Sequence, residues 1–215
     1  NLSSYSSLND FVTNGTEEEK RAIIQNTSAR EYLLSNPRLI TSLKATTNYA
    51  QNMVSYLLST DTTVNLQNYN AGLPCYISYG NKTFFGEWKT TTNGRETLYK
   101  NDPSFIGLSK GITTEAWSVS LWTSQKIDTT KYTIACARLW ALIEEGGWCS
   151  FSSTESDAWS NIKQDGGATI LCAQGKAQQW DNKTFSIKQG TYYFGMTVWS
   201  AAPENRGCVE WAYIY

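Results

Sequence analysis

The sequence predicts a mainly β protein, an antiparallel, jelly-roll-like β-sandwich preceded by a short α-helical oligomerising stalk. Three observations predict it. From about residue 61 onward the apolar residues recur with period two, in runs divided by Gly, Asn and Asp turn chemistry with no helical pattern between them. Over residues 1–60 the apolar residues instead fall at steps of three and four. Finally, nine Trp and thirteen Tyr stand beside two Met, with Ser, Thr and Asn plentiful, a balance that suits half-buried strands. The predicted domains are a helical stalk over 1–60 and a sandwich tip over 61–215.

Within the stalk, Thr16-Glu17-Glu18-Glu19 forms a capping box, in which Thr16 accepts from the Glu19 amide and Glu19 reaches back. The helix it opens stops at Asn36-Pro37, because the residue before proline avoids the helical region. The same pair starts a second helix, striped by Leu39, Leu43, Ala50, Val54 and Leu57. Three ten-residue units, NTSAREYLLS, NPRLITSLKA and TTNYAQNMVS, line up as a weak repeat. Two short amphipathic helices cannot cover their apolar faces alone, so further copies of the chain are expected to do it.

In the tip, Thr83 to Lys89 and Glu96 to Tyr99 flank Asn93-Gly94, which predicts a hairpin. Strands follow at Ala116 to Ser124, Lys131 to Ile143, Ala168 to Ala173, Thr191 to Ser200 and Cys208 to Tyr215. Alternation puts Trp117, Val119 and Leu121 on one face and Ser118, Ser120 and Trp122 on the other. Similarly, Tyr192, Phe194, Met196 and Val198 oppose Tyr193, Thr197 and Trp199.

Several function classes are disfavoured. A net charge of −1 with 17% charged residues gives no footprint for nucleic acid or an anionic membrane. No apolar run reaches the roughly 20 residues of a membrane span. The polar start at Asn1, with neither initiating Met nor signal peptide, reads as truncated or processed. Histidine is absent, which removes the commonest general base and metal ligand. Glu144 and Glu145 are adjacent and point to opposite faces of a strand, so they make no glycosidase pair. The expectation is a protein without catalytic residues, cofactor or metal. Five cysteines, at 75, 136, 149, 172 and 208, contain no C-x-x-C pair. They are expected mainly as free thiols packed like small hydrophobes, as in a product of a bacterial cytoplasm.

Certain stretches carry a resemblance. The ten-residue stalk units look like the repeats of bacteriophage tail fibres. Ile127-Asp128-Thr129-Thr130-Lys131-Tyr132 is similar to a lead-in to a core strand of their receptor-binding tips. Phe185 to Gly195, FSIKQGTYYFG, is similar to a strand near the end of such tips. The resemblance implies a parallel homotrimer in a virion tail, other tail proteins as partners, and adsorption to a bacterial cell-surface polysaccharide. The chain departs from such tips in being richer in Trp and Cys. The alternatives are a carbohydrate-binding module of a secreted bacterial protein and, third, a polysaccharide depolymerase.

Sugars stack their C–H faces on aromatic rings. Alternation and turn context make Trp122, Trp148, Trp159, Trp180 and Trp199 the candidate platforms. Trp88, Trp117, Trp140 and Trp211 are assigned to packing, with the Trp211, Tyr213, Tyr215 face equally suited to a subunit interface. Arg138 interrupts an apolar strand and is expected to seek Glu144, Glu145 or Glu210, as a structural ion pair or as a contact for an acidic glycan.

Overall fold

The structure is a computed structural model that describes residues 57–90, 97–111, 117–144, 146–154, 166–200 and 204–215, with scattered positions among the first 55. The chain divides into two compact units, Asn1–Cys75 with Tyr215, and Tyr76–Ile214.

In the first unit the capping box is formed. The Glu19 amide donates to Thr16 Oγ1 at 3.1 Å and the Thr16 amide to Glu19 Oε1 at 3.3 Å. Of the second predicted stalk helix the structure describes the end, where Val54 and Leu57 of the stripe are helical and only 2% and 1% exposed within the single chain, with no second copy to cover them. Leu39, Leu43 and Ala50, and the rest of both predicted helices, lie outside the described residues. A helix that the period-two reading missed, α1, spans Thr62–Asn70. Thr62, Thr63 and Val64 argue for a strand by propensity. Asp61 overrides them as N-cap, its side chain accepting from the Val64 amide at 3.0 Å. The buried residues of α1 are Asn65 and Asn68, so no apolar stripe announces it.

The second unit is built from strands. In chain order these are β1 (Cys75–Tyr79), β2 (Lys82–Thr83), β3 (Trp88–Thr90), β4 (Thr97–Asn101), β5 (Ile106–Ser109), β6 (Trp117–Thr123) and β7 (Ile127–Asp128). There follow β8 (Ile134–Ala141), β9 (Gly147–Ser152), β10 (Gly166–Leu171), β11 (Asp181–Ser186), β12 (Thr191–Ser200) and β13 (Arg206–Ile214). The first sheet runs β11-β8-β13-β1-β2, with β5 also on β13 and β4 on β5. The second runs β10-β9-β12-β6-β3, with β7 on β12. The registered strand pairs are antiparallel, as predicted.

Consecutive strands often change sheet, which overturns the predicted hairpin at Asn93-Gly94. β3 pairs with β6 in the second sheet, whereas β4 pairs with β5 in the first. The Thr83 to Lys89 run is not one strand because Gly86, at φ +79°, breaks it in a conformation that side chains disfavour. Likewise β8 and β9, on either side of the Glu144 to Gly147 turn, belong to different sheets.

The core lies where the two inner faces meet. Leu139, Ile106, Leu108 and Val209 of the first sheet are buried, as are Val119, Leu121, Phe151, Phe194, Met196 and Val198 of the second. Full burial of each such side chain contributes about 1.5–3 kcal/mol. Gly207 marks the closest approach, since a Cβ there would sit 2.8 Å from Met196 Sδ and 2.9 Å from Val198 Cγ2. Gly207→Val is therefore expected to destabilise by about 1–3 kcal/mol. A denaturant midpoint equal to that of the parent would show that the sheets can part there without cost. All five cysteines are buried thiols outside any disulfide, and burial pushes the Cys149 and Cys172 thiols up.

The two tip motifs are structural neighbours. β7 pairs with the start of β12, Asp128 opposite Thr191 and Ile127 opposite Tyr192. The Thr129 hydroxyl donates to the Lys188 carbonyl at 2.7 Å, and the Gly190 amide donates back to Thr129 Oγ1 at 3.1 Å.

Candidate functional site

The outward side of the first sheet follows from its inner side. Ala135, Ala137 and Leu139 of β8 are buried. Alternation therefore sends Cys136, Arg138 and Trp140 outward. On the edge strand β11, Asn182 lies opposite Arg138 and Thr184 opposite Cys136, and both are exposed. On β13, Trp211 pairs with Arg138 and Tyr213 with Cys136.

Here the ladder is irregular. The register shifts between Val209 and Trp211, leaving Glu210 as an extra residue on β13. Such a bulge re-aims side chains. Both Glu210 and Trp211 arrive beside Arg138, whose Nε forms an ion pair with Glu210 Oε2. Arg138 Nη1 also donates to Asn182 Oδ1 at 2.9 Å, and the guanidinium lies 5.8 Å from the centre of the Trp180 ring. Arg138 and Glu210 remain 34% and 39% exposed, so the pair adds no more than about 1 kcal/mol to stability.

Rings extend from this trio in both directions. Trp180 meets Phe105 edge to face at 5.1 Å. Trp211 stacks on Tyr213 at 5.2 Å, Tyr213 meets Tyr76 at 6.2 Å, and Tyr76 stacks on Phe84 at 6.4 Å. Cations sit at both ends, Lys82 over Phe84 at 4.7 Å and Lys100 over Phe105 at 5.3 Å. Lys100 in turn pairs with Asp102 at 2.7 Å, and this bond, with two from Ser104, holds the Asp102 carboxyl well below the usual carboxylate range. Trp180 is fixed by its surroundings: Gln178 donates its amide to the Ala141 carbonyl at 2.8 Å, and Asp181 is bonded by both Lys176 and Lys183.

Burial, and then the neighbouring Tyr79, push the Tyr76 hydroxyl up to about 12 from its ordinary 10.0. A tyrosine with a raised folded pKa contributes its stabilisation below the unfolded value and loses it as pH climbs through the folded one. Stability is therefore expected to fall between pH 10 and about 12, and Tyr76→Phe to flatten part of that fall in urea melts across the interval. Equal pH slopes for the two proteins would remove Tyr76 as the cause.

The five predicted platforms are not brought together. Trp180 belongs to the face just described. Trp122, Trp148 and Trp199 lie on the outward face of the second sheet, on β6, β9 and β12. Trp159, like the Trp117 side chain, lies outside the described residues. Trp122 needs correction as a platform, because it is only 3% exposed. Its neighbours Ser118, Ser120, Ser150, Ser152 and Thr197 are buried as well. Alternation identified the side of the sheet, but small hydroxyl residues there are no sign of solvent. Ser120 and Thr197 bond to each other at 2.9 Å, whereas the Ser118 and Ser150 hydroxyls are buried with no bonding partner among the described residues. Trp148 and Trp199 are half-buried.

Trp140 and Trp211, assigned to packing, are half-buried on the outward face of the first sheet. The signal for Trp140 was present in the sequence, since Arg138 two residues earlier shares its face. Phe105, Asn182 and Phe84 carried no signal, because only the pairing of distant strands brings them alongside.

No protein-family model and no curated protein sequence matches the chain. Among solved structures, the chain is similar to the K3 cleaved adhesin domain of Lys-gingipain from Porphyromonas gingivalis, with 12% identity, a TM-score of 0.42, and coverage of 60% of this chain and 91% of that one. It is also similar to the carbohydrate-binding module TmCBM61, solved with β-1,4-galactotriose, at 9% identity, a TM-score of 0.37, and coverage of 60% and 88%. A third likeness is to a carbohydrate-binding module of Cellvibrio mixtus lichenase 5A, solved with cellotriose, at 15% identity, a TM-score of 0.30, and coverage of 66% and 94%. Likenesses of this extent decide nothing about what this chain binds.

Proposed function

We propose that this chain is a non-catalytic glycan-binding domain that holds a polysaccharide on the outward face of its first sheet. One observation carries the reading. A partly exposed Arg138, fixed by Glu210 and Asn182, has the Trp180 ring 5.8 Å away and Trp211 opposite it on β13. Rings supply apolar surface for sugar C–H faces, and the trio supplies fixed donors and acceptors for ring hydroxyls. Affinity electrophoresis through gels containing bacterial cell-wall or soluble polysaccharides tests it. Retardation by at least one polymer, lost on Trp211→Ala, supports the reading, and free migration through every gel overturns it.

A second setting for the same site is the tip of a phage tail fibre, as a homotrimer attached to other tail proteins. The direct contact of the two tip-like motifs, Thr129 with Lys188 and Gly190, favours it. A trimeric mass by light scattering supports this setting, and a monomer at all concentrations removes it while leaving the glycan reading intact.

A further inference from the structure

The outward face of the first sheet holds an arginine that the sequence offered as a contact for acidic glycans, but its charge is already met. We infer that the site selects neutral sugars, with a pair of neighbouring hydroxyls bridging Arg138, Glu210 and Asn182. This rests on the glycan-binding reading above.

The guanidinium carries more N–H groups than Glu210 and Asn182 use, and it cannot lose its proton. The Glu210 carboxylate, 39% exposed, retains acceptor capacity beyond its bond to Arg138. One sugar hydroxyl accepts from Arg138 while the adjacent hydroxyl donates to Glu210, and the Asn182 amide donates to either. A carboxylate or phosphate on the sugar would have to displace Glu210 from Arg138 or lie against it as a like charge. Most of the nearby cations are matched as well, Lys176 and Lys183 sharing the Asp181 carboxylate beside Trp180. Lys100 is matched by Asp102, and Arg206, earlier on β13, by Glu204 at 2.8 Å. Lys82 stands at the far end of the ring band, over Phe84. The bulge at Glu210 is the device that makes this selection, because a regular β13 would not bring both Glu210 and Trp211 to Arg138.

The test compares the full chain with Glu210→Gln, Arg138→Lys and Asn182→Ala on neutral polymers (a glucan, a galactan, a mannan) and acidic ones (polygalacturonate, a teichoic acid), at low and raised salt. Thermal melts establish that each variant is folded. The expected result is retention of the parent by a neutral polymer, little changed by salt. Glu210→Gln and Arg138→Lys should each weaken it by about tenfold, the cost of one hydrogen bond to a charged group. Glu210→Gln should also open a new, salt-sensitive retention by acidic polymers. Asn182 sits exposed on an edge strand, so Asn182→Ala gives a second reading of the trio that leaves the ion pair in place. Parent protein held by an acidic polymer, salt-sensitively and regardless of position 210, overturns the inference while the glycan reading stands. Retention by no polymer of either kind removes both.

Discussion

Phe194→Ala is expected to destabilise the sandwich by about 3–5 kcal/mol, the usual cost of deleting a buried phenylalanine ring. For a domain of this size that corresponds to a fall in Tm on the order of 10–20 °C. Phe194 is 1% exposed and joins the halves of an aromatic core. Its ring meets Phe151 edge to face at 5.4 Å and Trp88 at 6.4 Å, and Phe151 continues to Phe185 of the other sheet at 6.1 Å. Removing Phe194 deletes its own buried surface and also leaves a cavity that its neighbours on paired strands cannot close. Phe185→Ala, at the half-buried end of the same chain of rings, should cost distinctly less. Scanning calorimetry of the two variants decides the matter. A Phe194→Ala loss no greater than that of Phe185→Ala would mean that the sheets are not held together at this point.

The largest functional effect is expected from Trp211→Ala. Aromatic anchors at the centre of a binding face are worth about 2 kcal/mol or more when truncated. Affinity for the retained polysaccharide should fall by roughly 30-fold or more. Stability should suffer less, because Trp211 is half-buried and its ring stacks on Tyr213 at 5.2 Å near the surface of the sheet. The control lies on the opposite face. Trp148→Ala and Trp199→Ala alter rings that turn context and strand alternation, respectively, favoured as platforms, and they should leave affinity within about twofold, as for contacts remote from an interface core. Isothermal titration with one polymer measures all three variants. If Trp148→Ala abolishes binding and Trp211→Ala does not, the glycan belongs on the second sheet.

These two variants show how legible the molecule was in its sequence. Phe194 was readable, because period two along Thr191 to Ser200 put Phe194, Met196 and Val198 on one face, and all three are buried. Trp122 was half readable. Its face was assigned correctly, but its exposure depends on what lies over Ser118 and Ser120, about which strand periodicity is silent. Trp211 was read as packing from the apolar run Ala212 to Tyr215 that follows it, and only the pairing of β13 with β8 shows that it lies opposite Arg138. Helix α1 was missed for the opposite reason: a purely local event, the Asp61 cap, outweighed the β-branched residues that follow it.

The sequence by itself determined that the chain forms antiparallel strands with an aromatic core, that Thr16 and Glu19 cap a helix start, and that Arg138 would find a carboxylate. Those properties depend on alternation, on residues three apart, and on the cost of leaving a charge without a partner, all visible along one line of text. Which carboxylate, and in whose company, was decided by the tertiary structure. Residues 105, 138, 180, 182 and 210 come from four separate stretches, and a single extra residue in β13 turns Glu210 and Trp211 toward Arg138 together. A bulge shifts register only relative to a partner strand, so it has no existence until the sheet has formed.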